Sequence, residues 1–217
     1  MWTLCRSVAI AAVVGIGVAE AADVTPGFGA SLRVGYGNPM GSVQGGAGAD
    51  LGQFFGGQLP LQLDLGYRIT PALSLAVYGA YALSSVGSSV ECLSGGVSCS
   101  GSDVRIGLEV FWHLLPGQTM DPWAAIGFGY EWSKLGFEGP AGTLGEVTLK
   151  GLELLNLQAG ADYPLTAGFG IGPFVQLTVA QYSTVVESSG GSSRSAELDS
   201  TRLHQWLQIG ARGTFSL

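Results

Sequence analysis

Arg33, Asp64, Arg68, Arg105, Glu109, Glu131, Asp162 and Arg212 are ionisable residues in a chain where ionisable residues are scarce, at 12% of the total. Guanidiniums matched by carboxylates are the ingredients of bidentate ion pairing more than of catalysis. A nucleophilic site needs a nucleophile, a base and an orienting acid within mutual reach. The two histidines, His113 and His204, offer little toward one: only His204 has acid and hydroxyl neighbours in sequence, Asp199 and Ser200. No His, Cys or acid cluster has metal-ligand spacing, so neither a metal nor a cofactor is expected. The chemistry on offer is charge meeting charge.

What holds those charges is an alternating chain. In the last stretch Leu203, Leu207, Ile209, Ala211, Gly213, Phe215 and Leu217 fall on one side, and His204, Trp206, Gln208, Gly210, Arg212, Thr214 and Ser216 on the other. A period of two is a strand between two different surroundings. Similar strands are predicted at residues 27–38, at 59–69, from Leu73, at 103–114, around 124–132, at 149–163 and from Phe169. The alternation stumbles at Leu152, Leu154 and Leu155, which leaves the register of the sixth strand open. Short turns at Thr70-Pro71, Pro116-Gly117 and Pro164–Gly168 alternate with long Gly- and Ser-rich loops. Eight strands with long loops at one end and short turns at the other predict an all-β fold: a closed eight-stranded antiparallel up-and-down transmembrane β-barrel.

Composition agrees. Mean hydropathy is +0.36, yet no stretch after the N-terminus supplies the roughly 18 apolar residues of a membrane helix. A formal charge of −7 with nine basic residues excludes a nucleic-acid partner of the usual kind. Aromatic residues gather toward strand ends: Phe28, Tyr67, Trp112, Tyr163, Phe169 and Phe215 at the short-turn end, Tyr36, Tyr81, Tyr130 and Trp132 at the long-loop end. Two girdles at two interfaces is the pattern of a membrane barrel. Residues 1–21 read as a secretory signal, with Arg6 as the basic region, Val8 to Val18 as the apolar stretch and Ala19-Glu20-Ala21 as the cleavage site; residues 22–217 form one barrel domain. Export leaves Cys92 and Cys99, in a Ser/Gly-rich loop, as a disulfide pair.

The polar faces turn inward in this arrangement. Counting from the turn end puts Arg33, Asp64, Glu109 and Arg212 near mid-height, Arg105 with Glu131 near the top, and Arg68 with Asp162 near the bottom. Four arginines then meet four carboxylates in a nearly neutral interior. An eight-stranded barrel is just wide enough for side chains to fill it, and charges there need partners. The expectation is an ion-pair network that plugs the lumen, with a charge-lined ion path as the competitor.

The pattern resembles the eight-stranded outer-membrane barrels of the OmpA transmembrane-domain, OmpX and OmpW kind, over roughly residues 27–217. Phe215 lies on the apolar face of the last strand as in such barrels, whereas Leu217 departs from their terminal aromatic. The resemblance implies the outer membrane of a Gram-negative bacterium, with outer-membrane lipid and the barrel-assembly machinery as partners and an extracellular ligand met through the loops. It implies a structural or surface-interaction role, not an enzyme. The alternative is a narrow channel or lateral-release conduit for small hydrophobic molecules, for which inward Gly29, Gly35, Gly66, Ala76, Ala80, Gly107, Gly127 and Gly129 would leave room, and Pro173 a break in the wall. A soluble exported carrier would invert the two faces.

Overall fold

The computed structural model describes residues 25–45, 50–87, 90, 92, 96–140 and 142–216; the signal segment expected at residues 1–21 lies outside them. Alternating side chains build the strands β1 (Gly27–Gly41), β2 (Phe55–Thr70), β3 (Leu73–Val86), β4 (Ser98–His113), β5 (Asp121–Gly139), β6 (Gly142–Thr166), β7 (Phe169–Ser189), β8 (Ser192–Glu197) and β9 (Leu203–Ser216), with one helical turn, α1 (Leu51–Phe54). All pairings are antiparallel. Sequential neighbours pair from β1 to β7, β7 pairs with β9, and β9 returns to β1. Eight strands therefore close into a ring. The short β8 stands outside it, paired to the loop-end half of β7 above the point where β9 leaves.

The two faces of this ring are inverted relative to a water-soluble core. Leu32, Val34, Leu61, Leu63, Leu65, Val77, Ile106, Leu108, Ile126 and Ile209 are exposed outside, while Arg33, Asp64, Arg105, Glu109, Glu131 and Gln158 are buried within. The exposed apolar band ends in aromatic pairs. Phe28 meets Tyr67 and Phe169 meets Phe215 at the turn end, each with ring centroids 5.0 Å apart, and Tyr130 meets Trp132 at 4.5 Å toward the loop end. Phe28 and Tyr36 stand eight residues apart on β1. At the usual strand rise that is about 26 Å of strand, or about 20 Å of height at a tilt near 40°.

Three expectations need correction. The strands on the loop side run further than periodicity indicates: β5 and β6 continue as one hairpin to Gly139 and Gly142, and the Ser-rich segment near residue 190 is the β7–β8 hairpin rather than a loop. Beyond the girdle no hydrophobic contrast separates the faces, so the alternation signal vanishes while backbone pairing goes on. The stumble at Leu154 is a bulge: Glu153 pairs with Ala180 and Leu155 with Val179, leaving one residue extra on β6. Inward positions switch there from Gly151 and Glu153 to Asn156 and Gln158. Pro173, finally, breaks nothing, because the β7–β9 register runs unshifted from Phe169↔Phe215 to Gln181↔Leu203.

Leu63 sits on the outer face between Leu32 and Gly79 of the flanking strands. In protein refolded into lipid bilayers, Leu63→Arg is expected to cost about 2–4 kcal/mol of unfolding free energy, the cost of a cation at bilayer mid-depth. A loss within error of zero would place this face in water.

Candidate functional site: the lumen

The lumen is built in layers, each held by strands that project alternate residues inward. At the loop end, Val43, Leu51 and Phe55 form an apolar lid over Trp206, Tyr182, Leu135 and Leu149. Leu51 and Phe55 are fully buried, and Phe55 meets Trp206 edge-on at 6.5 Å. The lid is stitched down by the Gly87 amide on the Phe54 carbonyl (2.8 Å) and by the Gly45 amide on Ser200 (backbone 2.9 Å). Ser42 donates to Asp50 at 2.9 Å.

Below the lid lies a hub around Glu131. Its carboxylate accepts from Trp206 Nε1 at 3.1 Å and Tyr182 Oη at 3.2 Å, faces His204 Nε2 at 2.9 Å, and lies 3.6 Å from Arg105 Nη2. Arg105 Nε is 2.8 Å from Asp103, to which Ser133 also donates at 2.6 Å. Tyr78 crosses the lumen to donate to Glu153 at 2.7 Å. A single carboxylate at this level thus ties β4, β5, β7 and β9 together.

The next hub is Arg33. One guanidinium nitrogen bridges Asp64 at 2.7 Å and Glu109 at 2.9 Å, and another donates to the Gln158 side-chain carbonyl. Asp64 also accepts from Gln62 at 2.8 Å and from Ser31; Gln158 returns a bond to Glu109 at 2.8 Å. Beneath it, Phe111, Trp123 and Phe174 form an aromatic layer. Arg33 stacks over Phe111 at 5.4 Å, and Arg212 over Trp123 at 4.4 Å. Arg33 and Arg212 are backbone partners, yet each takes a different level: Arg212 turns toward the turn end and bonds Asp162 at 3.2 Å. Charge repulsion is relieved by divergence and by the negative ring faces between them.

Arg68 departs from the expected pairing with Asp162. It is half-buried at the rim, where it reaches the Pro71 carbonyl at 3.0 Å and His113 Nε2 at 3.1 Å, and water can meet what remains. His113 Nδ1 lies 2.7 Å from Asp121, an arrangement that suits a neutral ring with its proton on Nδ1. The interior is also more acidic than the sequence count. Asp103, Asp121 and Glu153 join Asp64, Glu109, Glu131 and Asp162, so seven carboxylates face four arginines. Asp103 shares the face of Arg105 two residues on, a spacing that does find it; Glu153 is hidden by the bulge.

The small inward positions are seats for rings. A Cβ on Gly107 would come 2.6 Å from the Tyr78 ring, and one on Gly160 2.6 Å from Trp123. His204 turns to Glu131, whereas Ser200 accepts from Gly45 at the surface, so the two do not meet. Cys92 and Cys99 are joined as a disulfide, with Cα atoms 5.8 Å apart.

No family model and no curated protein matches this chain. Among solved structures, the outer membrane protein AlkL, determined in DMPC lipid bilayers, is similar over 94% of this chain and 96% of its own, with 15% identity and a TM-score of 0.50. Neisserial surface protein A covers 89% of this chain and all of its own at 13% identity and a TM-score of 0.49. A major outer membrane protein from Thermus thermophilus covers 86% and 99% at 20% identity and 0.48. The fold is that of the outer-membrane β-barrels.

Arg33→Met would leave Glu109 buried without its cation and is expected to cost about 3–5 kcal/mol in reversible urea unfolding from lipid vesicles. Arg33→Met combined with Glu109→Met should regain more than half of that loss. Strict additivity of the two single changes would show that the residues do not act as a pair.

Proposed function

We propose that this protein is a non-enzymatic barrel of the outer membrane whose closed interior makes it a rigid stand for its loop-side hairpins. The observation that carries this reading is the double seal: an apolar lid of Val43, Leu51 and Phe55 above, and cross-lumen bonds from Glu131 and Arg33 below. Small apolar solutes find no open bore among these groups, because Tyr78, Trp123 and Phe174 fill the space above the inward glycines. Export by a cleaved signal, assembly by the barrel-assembly machinery and residence among outer-membrane lipid fit the same reading.

The hairpins supply the surface. β5, β6 and β7 rise past the Tyr130–Trp132 girdle as a continuous sheet, to which β8 adds an exposed strand. From Ser133 to Gly139 this extension is about 20 Å at the usual rise per residue. It carries Glu138, Glu146, Glu187, Glu197, Lys134, Lys150 and Arg194, a mixed-charge surface suited to a polar partner outside the cell. Lys134 is already engaged with Glu146.

Purified protein in planar bilayers is expected to show no large, steady single-channel conductance, whereas removing the lid contacts with Leu51→Gly and Phe55→Gly should introduce flickering current. A steady conductance of the unaltered protein, comparable to that of a wide porin, would overturn the closed-stand reading.

A further inference from the structure

The lumen is sealed at one end only. At the turn end a cavity of about 630 Å³ opens between the strand ends, and Asp64, Arg68, His113, Asp121, Asp162 and Arg212 all line it. We propose that this cavity is an oxyanion site, in which Arg212 and Arg68 hold a carboxylate or phosphate group.

The case rests on counting donors and acceptors. Each aspartate is already engaged: Asp64 by Ser31, Gln62 and Arg33, Asp121 by His113 and the Leu115 amide, and Asp162 by Trp123 and Arg212. The guanidiniums are not. Arg212 is 6% exposed and spends one N–H on Asp162, at 3.2 Å; its Nε is buried with no partner among the described residues. Arg68 uses Nη1 on the Pro71 carbonyl and Nη2 on His113, leaving three of its five N–H groups unused. The cavity therefore presents surplus donors and engaged acceptors, which selects an acceptor-rich ligand, and a planar guanidinium fork matches an oxyanion bidentately. Phe111 and Trp123 hold the Arg212 plane from one side at 4.7 and 4.4 Å, so the fork is oriented before any ligand arrives.

Phe28, Phe169 and Phe215 of the turn-end girdle stand at the cavity mouth. An oxyanion at that depth is either the headgroup phosphate of a phospholipid in the adjoining leaflet or a free small anion. The Trp123 indole reports on both, since its Nε1 donates to Asp162 at 3.1 Å beside Arg212.

The test is a titration of ¹⁵N-labelled protein in alkyl maltoside micelles, following the Trp123 indole resonance. One arm adds inorganic phosphate and the other a short-chain phosphatidylglycerol. A saturable shift with phosphate supports a free-anion site; a shift with the lipid alone supports a headgroup site. Arg212→Gln should abolish the shift and Arg68→Gln should weaken binding by about tenfold or more, in line with losing one charge-assisted bond. Heat-modifiable gel mobility verifies that each variant is a folded barrel. Absence of a saturable shift in both arms up to about 10 mM, where a millimolar site would fill, overturns the proposal. So does an unchanged shift in folded Arg212→Gln. Should Arg212→Gln fail to fold, Arg68→Gln decides alone, and unaltered affinity there sinks the assignment.

Discussion

Where β9 meets β1 and β6 meets β7 the sheet returns on itself, so every strand of the ring is paired on both sides within the apolar belt. That closure is the condition for an exposed Leu, Val and Ile surface to coexist with a polar backbone, because no amide or carbonyl is left to face hydrocarbon. It also fixes the diameter. A ring of eight strands leaves an interior one or two side chains across, and whatever alternation sends inward must find partners there or across the bore. The reach of Arg33 from β1 to Glu109 on β4 and Gln158 on β6 is a direct result of that small width.

The layers differ in how they meet this requirement. At the loop end, burial is complete and the carboxylate of Glu131 is surrounded by neutral donors, Trp206 and Tyr182, as well as by His204 and Arg105. At mid-height one cation serves two acids. Toward the turn end, ring faces replace hydrogen bonds as the company of Arg212, and the cavity begins. A gradient from dry to open runs down the axis, and it sets which end can exchange small molecules with its surroundings.

The ring, its strand count, its outer face and most of its inward charges were legible in the sequence because each rests on a period of two inside the belt. Arg33, Asp64, Arg105, Glu109, Glu131 and Arg212 keep that phase along unbroken strands. Partner choice was not legible. Arg212 and Arg33 are adjacent by register, and only the side-chain directions, set by the Phe111–Trp123 layer, send one up and the other down. Pairing of Arg68 with Asp162 failed for a related reason, since a rim residue has solvent and a backbone carbonyl in competition with a carboxylate. The lid escaped notice because Val43, Leu51 and Phe55 are isolated apolar residues in a Gly/Gln-rich loop, with no period to mark them.

The bulge at Leu154 has a further meaning for how this chain can change over time. It is a phase joint: the residues on either side of it obey the same two-faced rule, but in opposite parity. Excising that one residue would not merely shorten β6. It would rotate the rest of the strand by half a period, sending Asn156, Gln158 and Asp162 outward and stripping Arg33 and Arg212 of partners at two levels together. Length variation is tolerable in the hairpin tips, where parity has no consequence. Within the belt, single-residue insertions and deletions are inversions, and the lineage of this protein can accept them only in compensating pairs.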